Sequence, residues 1–319
     1  MRAFIFPGQG SQSVGMGKAL ADASPHAREV FEEVDDALGQ RLFRLMSEGP
    51  ADELTLTENA QPAIMANAIA TLRVLEREGG ISLADKADYV AGHSLGEYSA
   101  LCAAGTFDLA TTARLLKLRG RAMQAAVPVG EGAMAALLGA DRERADLIAG
   151  TAVDQILAEG GETRVCSVAN DNDPSQVVIS GHRDAVERAV ALARELGAKK
   201  AMLLPVSAPF HCSLMQDAAD AMEDALRDVR LSAPVVPVFA NVDAAALADP
   251  NAIRFALVQQ VTGVVRWRES VLAMADAGVT SFVELGAKVL GTMVKRTVPD
   301  ATPTSVVTMD DVEGLLKNF

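Results

Sequence analysis

The chain has 319 residues, half of them hydrophobic and 22% charged, a composition that excludes disorder and suffices to bury a core without covalent or metal staples. With 29 Lys and Arg against 42 Asp and Glu the net charge is −13, and only 4% of residues are aromatic, so neither a basic groove nor a base-stacking surface for nucleic acid is expected. Asn, Thr or Arg interrupts the apolar stretches and the N-terminal apolar run is shorter than a signal peptide needs, so the expectation is a soluble, cytoplasmic protein that spans no membrane.

The length corresponds to about two domains. Short apolar runs alternate with longer amphipathic stretches, the pattern of an α/β fold. Residues 2–6 read as a buried strand ended by Pro7-Gly8, 60–78 as a mostly apolar helix, and 89–91 as a strand entering Gly92. A helix is predicted over 108–127, with Asp108 as its N-cap and Pro128 beyond its end. Then the pattern changes. Strand 133–138, helix 141–159, strands 164–169 and 176–180 joined by an Asn-Asp-Asn-Asp-Pro turn, helix 183–196 and strand 199–206 follow in order. That βαββαβ order predicts a ferredoxin-like domain over 131–205, inserted into a larger domain formed by 1–130 and 206–319, with hinges near 128–132 and 205–209. In the second part of the larger domain, Ser213 reads as the N-cap of a helix carrying Leu214, Ala218, Met222 and Leu226. Strands 235–240 and 280–285 and helices 253–260 and 287–297 complete it.

Two glycine-rich segments fail as nucleotide loops. Gly8-Gln9-Gly10 follows a strand, but Ser13 stands where a dinucleotide fingerprint needs its third glycine. Near Gly17-Lys18, Ala19 and Gln12 replace two obligatory phosphate-loop residues. What remains for Gly8 and Gly10 is a tight turn that presents backbone amides at a strand's carboxyl end, or a turn of structure alone.

Gly92-His93-Ser94-Leu95-Gly96 is different, because a Gly-x-Ser-x-Gly pattern between a strand and a helix is the context of a nucleophile elbow. The elbow exposes Ser94 and aims the Leu95 amide at a developing oxyanion. A serine nucleophile needs a base. His93 adjoins Ser94 on the strand and should point away from it, while His26 and His182 read as solvated surface histidines. His211, in the loop after Pro205-Val206-Ser207-Ala208-Pro209-Phe210, is the base by elimination. Asp217 and Asp243 are available to orient it, yet neither stands in a motif. Cys102, Cys166 and Cys212 are odd in number and far apart, suiting neither a disulfide framework nor a zinc site. Taken alone, Arg119 reads as a surface residue of the basic run Arg114, Lys117, Arg119, Arg121.

Phe6-Pro7-Gly8-Gln9-Gly10-Ser11-Gln12, Gly92 to Tyr98, Arg119-Gly120, Phe210-His211, and Gln260 with Val265-Arg266-Trp267 occur in this order and together resemble the malonyl-CoA:acyl carrier protein transacylases of fatty acid synthesis. The resemblance spans nearly the whole chain. It implies an α/β-hydrolase-like large domain, Ser94 as the acylated nucleophile, His211 as its base, and Gln260 orienting His211 through a backbone carbonyl. It also implies an oxyanion hole from the Gln9 and Leu95 amides, and Arg119 as the partner of the malonyl carboxylate. A planar guanidinium fork suits that carboxylate. Leu95 and Phe210 match the malonyl-selecting pattern, and Asn170 matches a position near the acyl or pantetheine path. Val264 departs from the pattern, since many relatives carry Pro there. The implied substrates are malonyl-CoA and an acyl carrier protein, with no metal or redox cofactor, and the implied state is a monomer. Carrier proteins of this kind are acidic, so docking on a chain of −13 calls for a local basic patch, either Arg114, Lys117 and Arg121, or Arg266, Arg268, Lys288, Lys295 and Arg296. The competing readings are a serine esterase or thioesterase of α/β-hydrolase type, which expects an acidic triad member, and a non-catalytic carrier-protein-binding module.

Overall fold

A computed structural model describes residues 1–206 and 208–319 as a mixed α/β fold with two sheets. Ser207, in the junction read as a hinge, lies outside the described residues. The larger sheet is built from β1 (Arg2–Phe6), β2 (Tyr89–Gly92), β7 (Val238–Ala240), β8 (Ala245–Leu247), β9 (Ser281–Leu285) and β10 (Thr302–Val306), in the order β10-β9-β1-β2-β7-β8. All neighbours pair parallel except β7 with β8. Because β1, β2 and β7 run parallel and side by side, their carboxyl ends open on one edge, where α/β sheets hold their ligands. Phe6 is in register with Gly92, so the loops after β1 and β2 leave the sheet together.

The smaller sheet, β4-β5-β3-β6, is antiparallel throughout and consists of β3 (Gly132–Leu138), β4 (Cys166–Asp173), β5 (Gln176–His182) and β6 (Lys200–Leu203). Alternation along β3 divides its side chains between two cores. Ala133, Ala135 and Leu137 join Ile148, Val168 and Val186 under the helices Arg142–Ala158 and Arg183–Leu192, whereas Met134 and Ala136 join the core of the larger sheet. Both faces are covered, which is why β3 reads as an unbroken apolar run. The helix Thr57–Arg77 is likewise apolar nearly all round and lies buried along most of its length.

The run Asn170–Asp173, expected as a turn, is instead the second half of β4, and the reversal occurs at Pro174-Ser175. Polar residues extend this strand because each finds a partner on the larger sheet's side. The Asp171 amide donates to the Val265 carbonyl at 2.9 Å, and the Asp171 carboxylate meets Arg268 at 2.9 Å. Asp173 meets Arg296 at 3.1 Å, and Asn172 bonds His93 at 2.7 Å. Both carboxylates are buried, and leaving either one unpaired would cost about 3–5 kcal/mol. Val264, the departure noted above, packs against the smaller core at this junction.

Other expectations shift. Ser213 does not cap the helix Gln216–Arg227. It opens a short 3₁₀ turn, Ser213–Met215, closed by the Met215 amide on the Cys212 carbonyl. The predicted strands 199–206 and 235–240 shorten to β6 and β7, and the helix from Arg183 ends at Leu192. Strands β8 and β10 are additional. Asp108 does cap its helix, accepting from the Thr111 amide.

Candidate active site

Ser94 sits where β2 turns into the helix Leu95–Ala103, with φ 54° and ψ −111°, a conformation that a non-glycine residue adopts only when its surroundings impose it. Glycine is obligatory on both sides. A Cβ on Gly92 would overlap the backbone of Gly96, and one on Gly96 would overlap the Phe6 carbonyl of β1. The turn is pinned from β7 as well, because the Ser94 amide donates to Asn241 Oδ1 at 2.8 Å while Asn241 Nδ2 donates to the Gly92 carbonyl at 2.7 Å.

The structure brings together Ser94, His211 and Gln260. Ser94 Oγ and His211 Nε2 are 2.8 Å apart, and His211 Nδ1 lies 2.8 Å from the Gln260 carbonyl oxygen. A carbonyl only accepts, so Nδ1 carries the proton and Nε2 is left as the acceptor for the Ser94 hydroxyl. That is the tautomer a general base needs, fixed without a carboxylate. Neither Asp217 nor Asp243 takes the orienting place. His211, too, has a positive φ of 59° and is buried.

Arg119 is not on the surface. It is 1% exposed, and its guanidinium donates to Gln61 Oε1 at 2.9 Å, Gln260 Oε1 at 2.9 Å and Ser94 Oγ at 3.1 Å. All three acceptors are uncharged, and Arg119 Nε has no hydrogen-bond partner. Arg114 and Arg121 of the basic run are exposed, while Lys117 is largely covered and shares Glu58 with Arg121. Gly120 allows this inward turn of the helix, since a Cβ there would press on the backbone of Thr57 and Glu58.

A cavity of about 440 Å³ opens onto this cluster, within the range of small-molecule sites. Gln9, Ser94, Arg119, Asn170, Phe210 and His211 all line it, together with Gln61, Met123 and Met134. Leu95 is the first residue of its helix, where amides have no intrahelical acceptor. His93 turns away from Ser94 toward Asn172 and Trp267. His26 and His182 lie elsewhere, His26 against Glu29 and His182 accepting from the Val165 amide.

Burial, with the nearby Arg119 cation, pushes the His211 imidazole down to about 3 from 6.5, so it stays neutral across the physiological range. Protonation would disable the base, so the acid limb of serine acylation should fall well below pH 6.5. Replacing Arg119 by Met should move that limb toward neutrality. A pH profile of single-turnover acylation in the two proteins checks this. Burial acts oppositely on Glu97, raising its carboxyl to about 7.

Residues 3–311 match the acyl transferase domain family. The chain belongs to the acyl transferase family. It is 45% identical over 305 residues to the malonyl CoA-acyl carrier protein transacylase of Escherichia coli strain K12, covering 95% of each chain. Against the enzyme of the same name from Bacillus subtilis strain 168 it is 44% identical over 295 residues, covering 92% of this chain and 89% of that one. Among solved structures, the acyl-carrier-protein-S-malonyltransferase of Bartonella henselae superposes with a TM-score of 0.94 at 53% identity, over 99% of this chain and 98% of that one. A malonyl-transacylase in complex with a type II PKS acyl-carrier protein superposes with a TM-score of 0.93 at 40% identity, over 100% and 99%.

Three polar residues bonded to the cluster escape sequence reasoning: Gln61, Glu97 and Asn241. Glu97 lies inside the quoted motif, three residues after the serine, and its burial carries no sequence signal. Gln61 sits one residue before Pro62 in a helix that also buries Asn59 and Asn67, so its polar side chain does not stand out in the sequence.

Proposed function

We propose that this acyl transferase moves a malonyl group from malonyl-CoA to the phosphopantetheine thiol of an acyl carrier protein, through a malonyl-serine intermediate. The observation that carries the reading is the buried Arg119 fork beside Ser94, a cation bonded only to uncharged oxygens in a cavity of acyl size. A substrate carboxylate is what such a fork lacks. In the first half-reaction the Ser94 hydroxyl gives its proton to His211 Nε2 and attacks the thioester carbon. The Gln9 and Leu95 amides hold the tetrahedral oxyanion, and its collapse expels coenzyme A, whose sulfur takes the proton from His211. In the second, His211 accepts the pantetheine thiol's proton, the thiolate attacks the serine ester, and Ser94 regains a proton as it leaves. Phe210 and Asn170 wall the acyl and pantetheine path. No metal or redox cofactor has a part in this chemistry.

In finer terms, the elbow and parallel strands support an α/β-hydrolase-like domain of residues 1–130 and 206–319, and the strand order β4-β5-β3-β6 supports an inserted ferredoxin-like domain of 131–205. The proposed working form is a cytoplasmic monomer. Docking of the carrier protein by a simple basic patch is disfavoured, because most of the candidate cations already have carboxylates: Lys117 and Arg121 share Glu58, Arg266 pairs with Glu269, Arg268 with Asp171, Lys288 with Asp311 and Arg296 with Asp173.

The test is intact mass after mixing with malonyl-CoA alone. One malonyl adduct, discharged on adding holo carrier protein, is expected. Free malonate accumulating at the rate of transfer, with no adduct, would make the protein a hydrolase instead.

A further inference from the structure

Glu97 is fully buried on the nucleophile's helix, and the mechanism above gives it no part. Its Oε2 accepts two hydrogen bonds, from the Asn241 amide at 2.9 Å and from Gln260 Nε2 at 2.8 Å. Gln260 Nε2 also donates to the Ser94 carbonyl at 3.0 Å, while Gln260 Oε1 accepts from Arg119 at 2.9 Å. A side-chain amide can be placed either way round. Reversed, this one would set its NH₂ against the Arg119 donors and its oxygen against both the Glu97 carboxylate and the Ser94 carbonyl. The same residue's backbone carbonyl holds His211 Nδ1. Gln260 therefore serves the base through its main chain and the carboxylate fork through its side chain. The side chain has one anchoring carboxylate, on Glu97.

We propose that Glu97 is a positioning residue for acyl selection: by accepting from Gln260 Nε2 at Oε2 it keeps Gln260 Oε1 on Arg119 and so holds the guanidinium ready for a substrate carboxylate. The inference rests on the malonyl-transfer reading. The required feature is an acceptor at one place rather than a negative charge. Asn241 and Gln260 converge on a single oxygen, which a glutamine amide oxygen can supply equally well.

Two near-isosteric variants separate place from charge. Glu97→Asp keeps the charge and withdraws the acceptor by one methylene. Glu97→Gln removes the charge and keeps the acceptor. Single-turnover acylation of full-length protein by malonyl-CoA and by acetyl-CoA is measured for each, with thermal denaturation beside it. Glu97→Asp is expected to lower the malonyl-to-acetyl rate ratio at least tenfold, and Glu97→Gln to recover most of that loss. The idea is overturned by equal slowing of both acyl groups, by an unchanged ratio in Glu97→Asp, or by a ratio as low in Glu97→Gln as in Glu97→Asp. Failure of the parent protein to take up malonyl at all would sink the underlying reading first, and the two failures are told apart in that control.

Discussion

Ser94→Ala is expected to yield no malonyl adduct and to lose at least ~10⁴-fold of the transfer rate, on the scale seen when a catalytic serine is removed from a working triad. The loss should be this large because, among the described residues of the cavity, Ser94 is the hydroxyl placed against His211 Nε2. Cys212 neighbours His211 in sequence, but its sulfur donates to the Pro209 carbonyl, and burial pushes its thiol pKa up. The substitution removes one oxygen from a strained turn whose shape is set by Gly92, Gly96 and Asn241, so the fold should survive. Intact mass with malonyl-CoA, and radiolabel transfer to carrier protein, read the two losses separately. Any adduct retained at another residue would remove Ser94 from its role.

Arg119→Met should slow malonyl acylation by roughly 10²–10⁴-fold, the rate equivalent of about 3–5 kcal/mol for a buried carboxylate left without its cation. Acetyl acylation should change by less than about tenfold, because acetyl offers nothing to the fork and its binding leaves the guanidinium unmatched. Methionine fills comparable volume without a charge, so Gln61 and Gln260 lose a donor but keep their packing. The measurement is the ratio of the two single-turnover rates. A uniform slowing of both would make Arg119 a structural arginine and would remove the main support for a carboxylated substrate.

Much of the larger sheet and the elbow is legible in the sequence because each signal is local. The four apolar residues Ala3 to Phe6 before Pro7-Gly8 make most of β1, and glycines flanking a serine between strand and helix make the turn at Ser94. His211 emerges by counting histidines. The inward course of Arg119 is invisible, because its helix carries cations on several faces and only the Gly120 contact with Thr57 and Glu58 decides which one is buried. The orienting group for His211 is invisible for another reason. It is a main-chain carbonyl, which every residue possesses, so no side-chain pattern announces it. Asn170 to Asp173 mislead outright, since a tetrad of Asn and Asp before Pro follows turn statistics until Arg268, Arg296 and His93 supply partners from distant segments.

That polar strand has a bearing on how the pocket could be re-engineered. The smaller sheet is fastened along β4 by two ion pairs, a histidine–asparagine bond and two backbone bonds with Val265. One wall of the cavity, including Met134 and Asn170, hangs from that fastened sheet, and the opposite wall is the elbow itself. The wall formed by Met134 and Asn170 is thus held in place from β4, while Leu204, Pro205 and Val206 of the crossing line the same cavity. Admitting a branched or longer acyl group is a matter of trimming Phe210 or Met134, one side chain at a time, while the frame around them is left alone.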